Sequence, residues 1–218
     1  MTDKLIQLLT DTQKIDTGLD SSVYKSNWGD YVIKVYNGLR KVHLSQTDLE
    51  NCLELVEKYN SATLKAKDLM DLLWNTSLDT NRIAINNKLY RVNITIVPQG
   101  KPFIIENQVV SIGQQYIPYA NLNRIFIYKS IYPPDMTKPT LDFYKEIVKQ
   151  RQNIEQIIYS VNKLIVDTVN VPFNIVSLNV KPNLDKSKNV FNLIITDIAS
   201  SITGSYASID KSYRQLKI

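Results

Sequence analysis

The chain has 218 residues, of which 44% are hydrophobic and 22% charged, and it carries a formal net charge of +5. That length holds one large or two small domains with a substantial core, and 6 glycines and 8 prolines argue against a low-complexity chain. Cys52 is the only cysteine and His43 the only histidine, which excludes an intrachain disulfide and multi-histidine metal sites and leaves Ser/His/Asp chemistry only if His43 itself serves.

The first residues are too short in their apolar part and too acidic for a secretory signal. No window approaches the roughly eighteen apolar residues of a membrane span, so the expectation is a cytoplasmic chain with no membrane partner. Residues 4–14 predict a short amphipathic helix with Leu5, Leu8 and Leu9 on one face. Residues 15–25 read as a strand, a small-residue turn and a second strand. Trp28-Gly29-Asp30 then turns tightly into the strongly β-prone segment 31–36, where Lys34 stands as a cation inside an apolar run. Strand alternation places Lys34 on a solvent face.

Residues 44–74 predict the main helix of the first half. Thr47 and Glu50 form a capping box, and Leu49, Cys52, Leu53, Val56 and Tyr59 recur at helical spacing. Strands follow at 82–85, 89–97 and 108–117, the first two joined by a turn at Asn86-Asn87. A proline-rich stretch at 132–139 divides the chain, and 141–168 then predict one long helix. Its stripe of Phe143, Ile147, Ile154, Ile158, Val161 and Ile165 is core packing. The basic residues are scattered, with Arg40-Lys41 the only adjacent pair, so charge alone speaks for a solvated lysine-rich surface and against a nucleic-acid partner.

Residues 170–200 read as two short β segments, 174–181 and 190–196, joined by a polar loop. The second is an almost continuous apolar run that delivers Asp197 at its end, and Asn179 on the first can bring a carbonyl oxygen to the same spot. An Asp and an Asn converging at strand ends suit a magnesium ion that keeps its phosphates and waters. The competing reading is that Asp197 caps the next turn and Asn179 sits in a loop. The element order gives an α+β chain in two lobes, with residues 1–114 before, 115–122 as, and 123–218 after a hinge.

This order, with these residues, resembles the protein-kinase-like superfamily from Ile15 to about Ser201. The first hairpin resembles the glycine-rich loop G-x-G-x-x-G-x-V: aligned on Val23, the glycine positions hold Asp16, Gly18 and Ser21. Tyr31-Val32-Ile33-Lys34 resembles V-A-I-K, and Lys34 would then bind the α- and β-phosphates. A helix glutamate pairs with that lysine in the family, and Glu50, Glu54 and Glu57 are candidates, Glu54 fitting best. Residues 114–119, with Tyr116 and Ile117, resemble the hinge that meets adenine through main-chain groups.

Aligned on Asn179, the catalytic loop H-R-D-x-x-x-x-N has Pro172, Phe173 and Asn174 at its His, Arg and Asp. Asp197-Ile198-Ala199 resembles D-F-G. The resemblance therefore implies a two-lobed fold: a mainly antiparallel β N-lobe with one helix, and a reduced helical C-lobe carrying a β hairpin. The C-lobe is reduced because no A-P-E motif or peptide-binding helices follow Asp197.

The resemblance also implies a nucleotide site of Gly18, Ser21, Val23, Val32, Lys34 and Glu54 with Tyr116 and Ile117, and a magnesium site of Asn179 and Asp197. ATP and Mg2+ are the implied cofactors. With Asn174 in place of the catalytic aspartate, the implied function is a pseudokinase that serves a protein partner, or a slow phosphotransferase. The alternatives are a protein-interaction scaffold without nucleotide, its cleft plugged by Tyr116, Tyr119 and Phe191, and a basic nucleic-acid-binding module.

Overall fold

The computed structural model of the chain describes residues 4–17, 21–36, 46–76, 81–127, 137–169, 175 and 179–197. In chain order its elements are α1 (Lys4–Leu9), β1 (Thr12–Thr17), β2 (Ser21–Ser26), β3 (Tyr31–Tyr36), α2 (Gln46–Asn75), β4 (Arg82–Ile85) and β5 (Lys88–Ile96). They continue with β6 (Pro102–Ile105), β7 (Gln108–Gln115), α3 (Leu122–Ile127), α4 (Lys138–Lys149), α5 (Arg151–Val169), β8 (Val180–Asp185) and β9 (Val190–Ile195). The fold is mixed α+β, and the described residues divide into two compact units. Unit 1 holds residues up to Leu64 and from Pro98 to Ile117; unit 2 holds Lys65–Val97 and the chain from Pro118 onward to Asp197.

Unit 1 is built on an antiparallel sheet, in the order β1-β2-β3-β7-β6 among the described residues. Its middle strand β3 is buried from Val32 to Tyr36, because both faces of the sheet are covered. On one face Ile33, Val35 and Val110 pack with Leu8 and Leu9 of α1. On the other, Tyr36 and Val109 pack with Leu49 and Val56 of α2. The segment before β6 approaches β7 so closely that a Cβ on Gly100 would lie 1.5 Å from the Ile112 carbonyl oxygen. Only glycine fits there. The Gly100 carbonyl accepts hydrogen bonds from Asn60 Nδ2 of α2 (2.8 Å) and Ser111 Oγ of β7 (2.7 Å).

Unit 2 carries a second sheet, ordered β4-β5-β9-β8 among the described residues. The β4–β5 turn has Asn86 at φ 51° and Asn87 at φ 62°, the two left-handed residues that a tight hairpin turn requires and that asparagine tolerates. β5 and β9 are parallel, with Arg91 opposite Val190 and Ile96 opposite Ile195. Ile147 of α4 and Ile154, Ile158, Val161 and Ile165 of α5 are buried, and the Phe143 ring meets Phe191 of β9 edge-on at 6.3 Å. The indole of Trp74, near the end of α2, stacks under the Arg91 guanidinium at 3.7 Å, and Arg91 also donates to the Trp74 carbonyl at 2.8 Å.

Several elements differ from their expected bounds. α1 ends at Leu9, whose carbonyl is capped by Thr12 Oγ1 at 2.8 Å, and β1 begins there. The expected helix over 141–168 is two: Gln150 leaves helical geometry (φ −93°, ψ 10°), closing α4 while its carbonyl opens α5 by accepting from Ile154. Apolar periodicity runs through that joint and hides it. β6 and α3 have no counterpart among the expected elements; one is four residues long and begins with proline, the other is six residues long. Of the expected segment 174–181, residues 174 and 176–178 lie outside the described residues, and β8 covers 180–185. Among the described residues it is an edge strand, so Pro182 within it costs no ladder bond to a further described neighbour. Residues 65–97, expected before the hinge, belong to unit 2 because β5 pairs with β9. The later boundary between the units falls between Ile117 and Pro118. Among the described residues no helix is long and apolar enough to cross a membrane.

Candidate functional site

In unit 1, Lys34 is 4% exposed, which overturns the solvent-facing position that alternation suggested. Lys34 shares its sheet face with Val32 and Tyr36, and that is the face α2 covers. Its cross-strand neighbours are Val23 on β2 and Ser111 on β7. Val32 and Ser111 are buried, while Val23 and Ser21 are half-buried. An ammonium at this depth costs several kcal/mol unless acceptors or an anion meet it.

The glutamates of α2 do not enter that interior. Leu49, Val56 and Tyr59 carry the helix face that packs inward, whereas Glu50, Glu54 and Glu57 are exposed, and Glu50 accepts from Gln46 at 2.8 Å. Glu54, the expected partner, thus shares no buried environment with Lys34. The helical period decides this: the glutamates fall opposite the apolar stripe that fixes the helix on the sheet.

Sequence reasoning did not single out Asn60, Gly100 and Ser111. Asn60 is 9% and Ser111 3% exposed, and together they fasten α2 and β7 to one carbonyl beside the Lys34 row. The single signal was the glycine in Pro98-Gln99-Gly100, which reads as an ordinary turn.

In unit 2, the β8–β9 pairing puts Val180 opposite Ile195 and so brings Asn179 and Asp197 to the same end of the hairpin. Thr196, between them in register, donates to the Asn179 carbonyl from its amide (2.8 Å) and from its hydroxyl (3.2 Å). Beside them Val97 donates to the Ile195 carbonyl at 2.9 Å, which holds the end of β5 against β9. Asn179 and Asp197 are half-buried. The Asn179 side-chain oxygen and the Asp197 carboxylate belong to residues at this end, and Asp197 already has an interaction within the protein. Two oxygens fit a magnesium ion that keeps most of its shell as water and phosphate. Among the described residues no three His, Cys, Asp or Glu side chains gather as a fuller metal cage.

Of the hinge residues, Tyr116 donates its main-chain amide to the Asp30 carbonyl at 2.9 Å, and its ring lies under the Lys25 ammonium at 4.5 Å. Ile117 is buried at 7% exposure. Tyr119 is 40% exposed, and Phe191 lies wholly in the core of unit 2 against Phe143, so Phe191 is not a cleft plug. The apolar run that marked β9 as buried also commits its phenylalanine to that core.

Gly18, Asn174, Ile198 and Ala199 lie outside the described residues. No family model matches the chain, and no curated protein matches it.

Proposed function

We propose that the chain is a kinase-like domain that binds ATP with magnesium and transfers phosphate slowly or not at all. The observation that carries the proposal is Lys34: a lysine 4% exposed on the middle strand of an antiparallel sheet, with apolar residues before and after it. Phosphate is the ligand chemistry that rewards a fixed ammonium at such a place. The convergence of Asn179 and Asp197 at one hairpin end supports the same reading, since these are the positions that the resemblance implies for the metal.

In this proposal Lys34 offsets the charge of the α- and β-phosphates. Val23 and Val32 flank the lysine, and the chain around Ile117 meets the base. Asn179 and Asp197 would hold magnesium, which when bound neutralises phosphate charge. Asn174 orients an acceptor hydroxyl but has no basicity with which to take its proton. A general base is worth about 10²–10⁴-fold, so its loss raises the barrier by roughly 3–5 kcal/mol.

Thermal denaturation with and without Mg·ATP tests the proposal. Nucleotide at about 100 times its Kd adds about 2.7 kcal/mol to the folded state, a rise of several degrees in Tm. Lys34→Met and Asp197→Asn are each expected to abolish the rise. A parent protein whose Tm does not move with Mg·ATP would refute the assignment.

A further inference from the structure

The end of the unit 2 sheet opposite Asn179 and Asp197 gathers lysines that are far apart in sequence. Parallel pairing sets the start of β5 beside the start of β9, so the 86–87 turn and the 186–189 turn lie side by side. Hydrogen bonds tie them: the Asn189 side-chain Nδ2 donates to the Leu89 carbonyl at 3.4 Å, and the Arg91 main-chain amide donates to the Asn189 carbonyl at 3.3 Å. Lys88, Lys186 and Lys188 are exposed on these turns, Lys188 with 78% of its side chain in solvent. The last turn of α4 comes to the same place, where Asn86 donates to Glu146 Oε2 at 3.2 Å, and it adds Lys149, 68% exposed.

The carboxylates here are already engaged. Asp185 Oδ1 accepts from the amides of Ser187 and Lys188, both at 3.1 Å, and from Ser187 Oγ at 2.6 Å. Its other oxygen is 3.7 Å from Lys188 Nζ. Glu146 is bound by Asn86 and Lys149. Among the described residues no carboxylate pairs with Lys88 or Lys186; Lys88 lies over the Tyr90 ring at 5.3 Å.

We infer that this pair of turns docks the phosphate backbone of a double-stranded nucleic acid. Lysines are point charges suited to single phosphates, and the exposed side-chain amides of Asn86 and Asn87 are neutral donors of the kind that position a backbone without reading bases. Tyr90 is 5% exposed, so its ring makes no platform for unpaired bases. Leu89 is the single large apolar side chain exposed on these turns, too little to enter a bilayer. The lysines looked scattered in sequence because the pairing that collects them spans about half the chain.

Fluorescence anisotropy of a short labelled DNA duplex with the full chain tests the inference. Three lysine–phosphate contacts give a slope near −2.7 in log K against log salt, so binding should weaken about 40-fold between about 50 and about 200 mM salt. The combined Lys88→Glu, Lys186→Glu, Lys188→Glu protein should lose at least about tenfold at low salt. A Lys→Gln version of the same three, free of new repulsion near Asp185, should lose most of that. Reversal of three lysines exposed elsewhere, Lys58, Lys65 and Lys163, should change little. Four results would each overturn the inference: no binding of the parent at low salt, salt-insensitive binding, an equal loss in the second reversal set, or tighter lysine-dependent binding to anionic lipid vesicles than to the duplex.

Discussion

A charge buried in a sheet and a glycine pressed against a carbonyl are opposite kinds of commitment at the residue scale. In the proposed reading Lys34 serves a ligand. Lys34 meets a partner within the protein, and Lys34→Met takes the cation away from it, so Tm in the absence of nucleotide is expected to fall, as measured by differential scanning fluorimetry. Gly100 serves stability alone. Gly100→Ala places a methyl where the Ile112 carbonyl stands, and urea denaturation should show a loss of about 1–3 kcal/mol or more. Asn60→Ala leaves the Gly100 carbonyl with Ser111 and should cost about 1 kcal/mol by the same measurement.

Elements here are held by their ends. Glu146 joins α4 to the 86–87 turn, and the Lys149 hydrogen bond, then the Asn86 amide, hold its carboxyl below the ordinary glutamate value. A carboxyl depressed in the folded state contributes stability above its unfolded pKa and loses it as pH falls through the folded one. The Tm gap between the parent and Glu146→Gln should therefore be open at neutral pH and close in acid, below the usual glutamate range. The strands that sequence displayed best, β3, β4, β5 and β9, are those whose pattern is set by burial on their own faces. What it concealed depends on partners. The break at Gln150 lies inside an unbroken apolar period, and β8 is defined by β9 rather than by its own polar residues. Lys34 looked solvent-facing because a strand's alternation does not reveal that α2 covers its second face. Asn179 and Asp197 were legible as a pair because an apolar strand followed directly by an aspartate marks the strand's end; the exposure of Glu54 was not, since the spacing of glutamates from Lys34 does not disclose which helix face turns inward.

At the scale of the whole molecule, α2 runs without interruption from unit 1 into unit 2, crossing the boundary at Leu64 and Lys65. Proline at exposed position 65 removes a hydrogen bond and clashes with the preceding turn, at a cost of about 3 kcal/mol. Calorimetry of Lys65→Pro is expected to show a lower Tm than the parent's. The parallel β5–β9 pairing imposes an order on events at the ribosome. β5 is synthesised roughly one hundred residues before β9, so at about 5–20 residues per second the nascent β4–β5 hairpin waits about 5–20 s with one edge bare. Among the described residues, every strand of the unit 1 sheet has been made once β7 is complete, so these strands can pair during that interval. The first half of the chain is thus asked to fold around an unfinished second half, and the bare edge of β5 is where a chaperone or a wrong neighbour would first take hold.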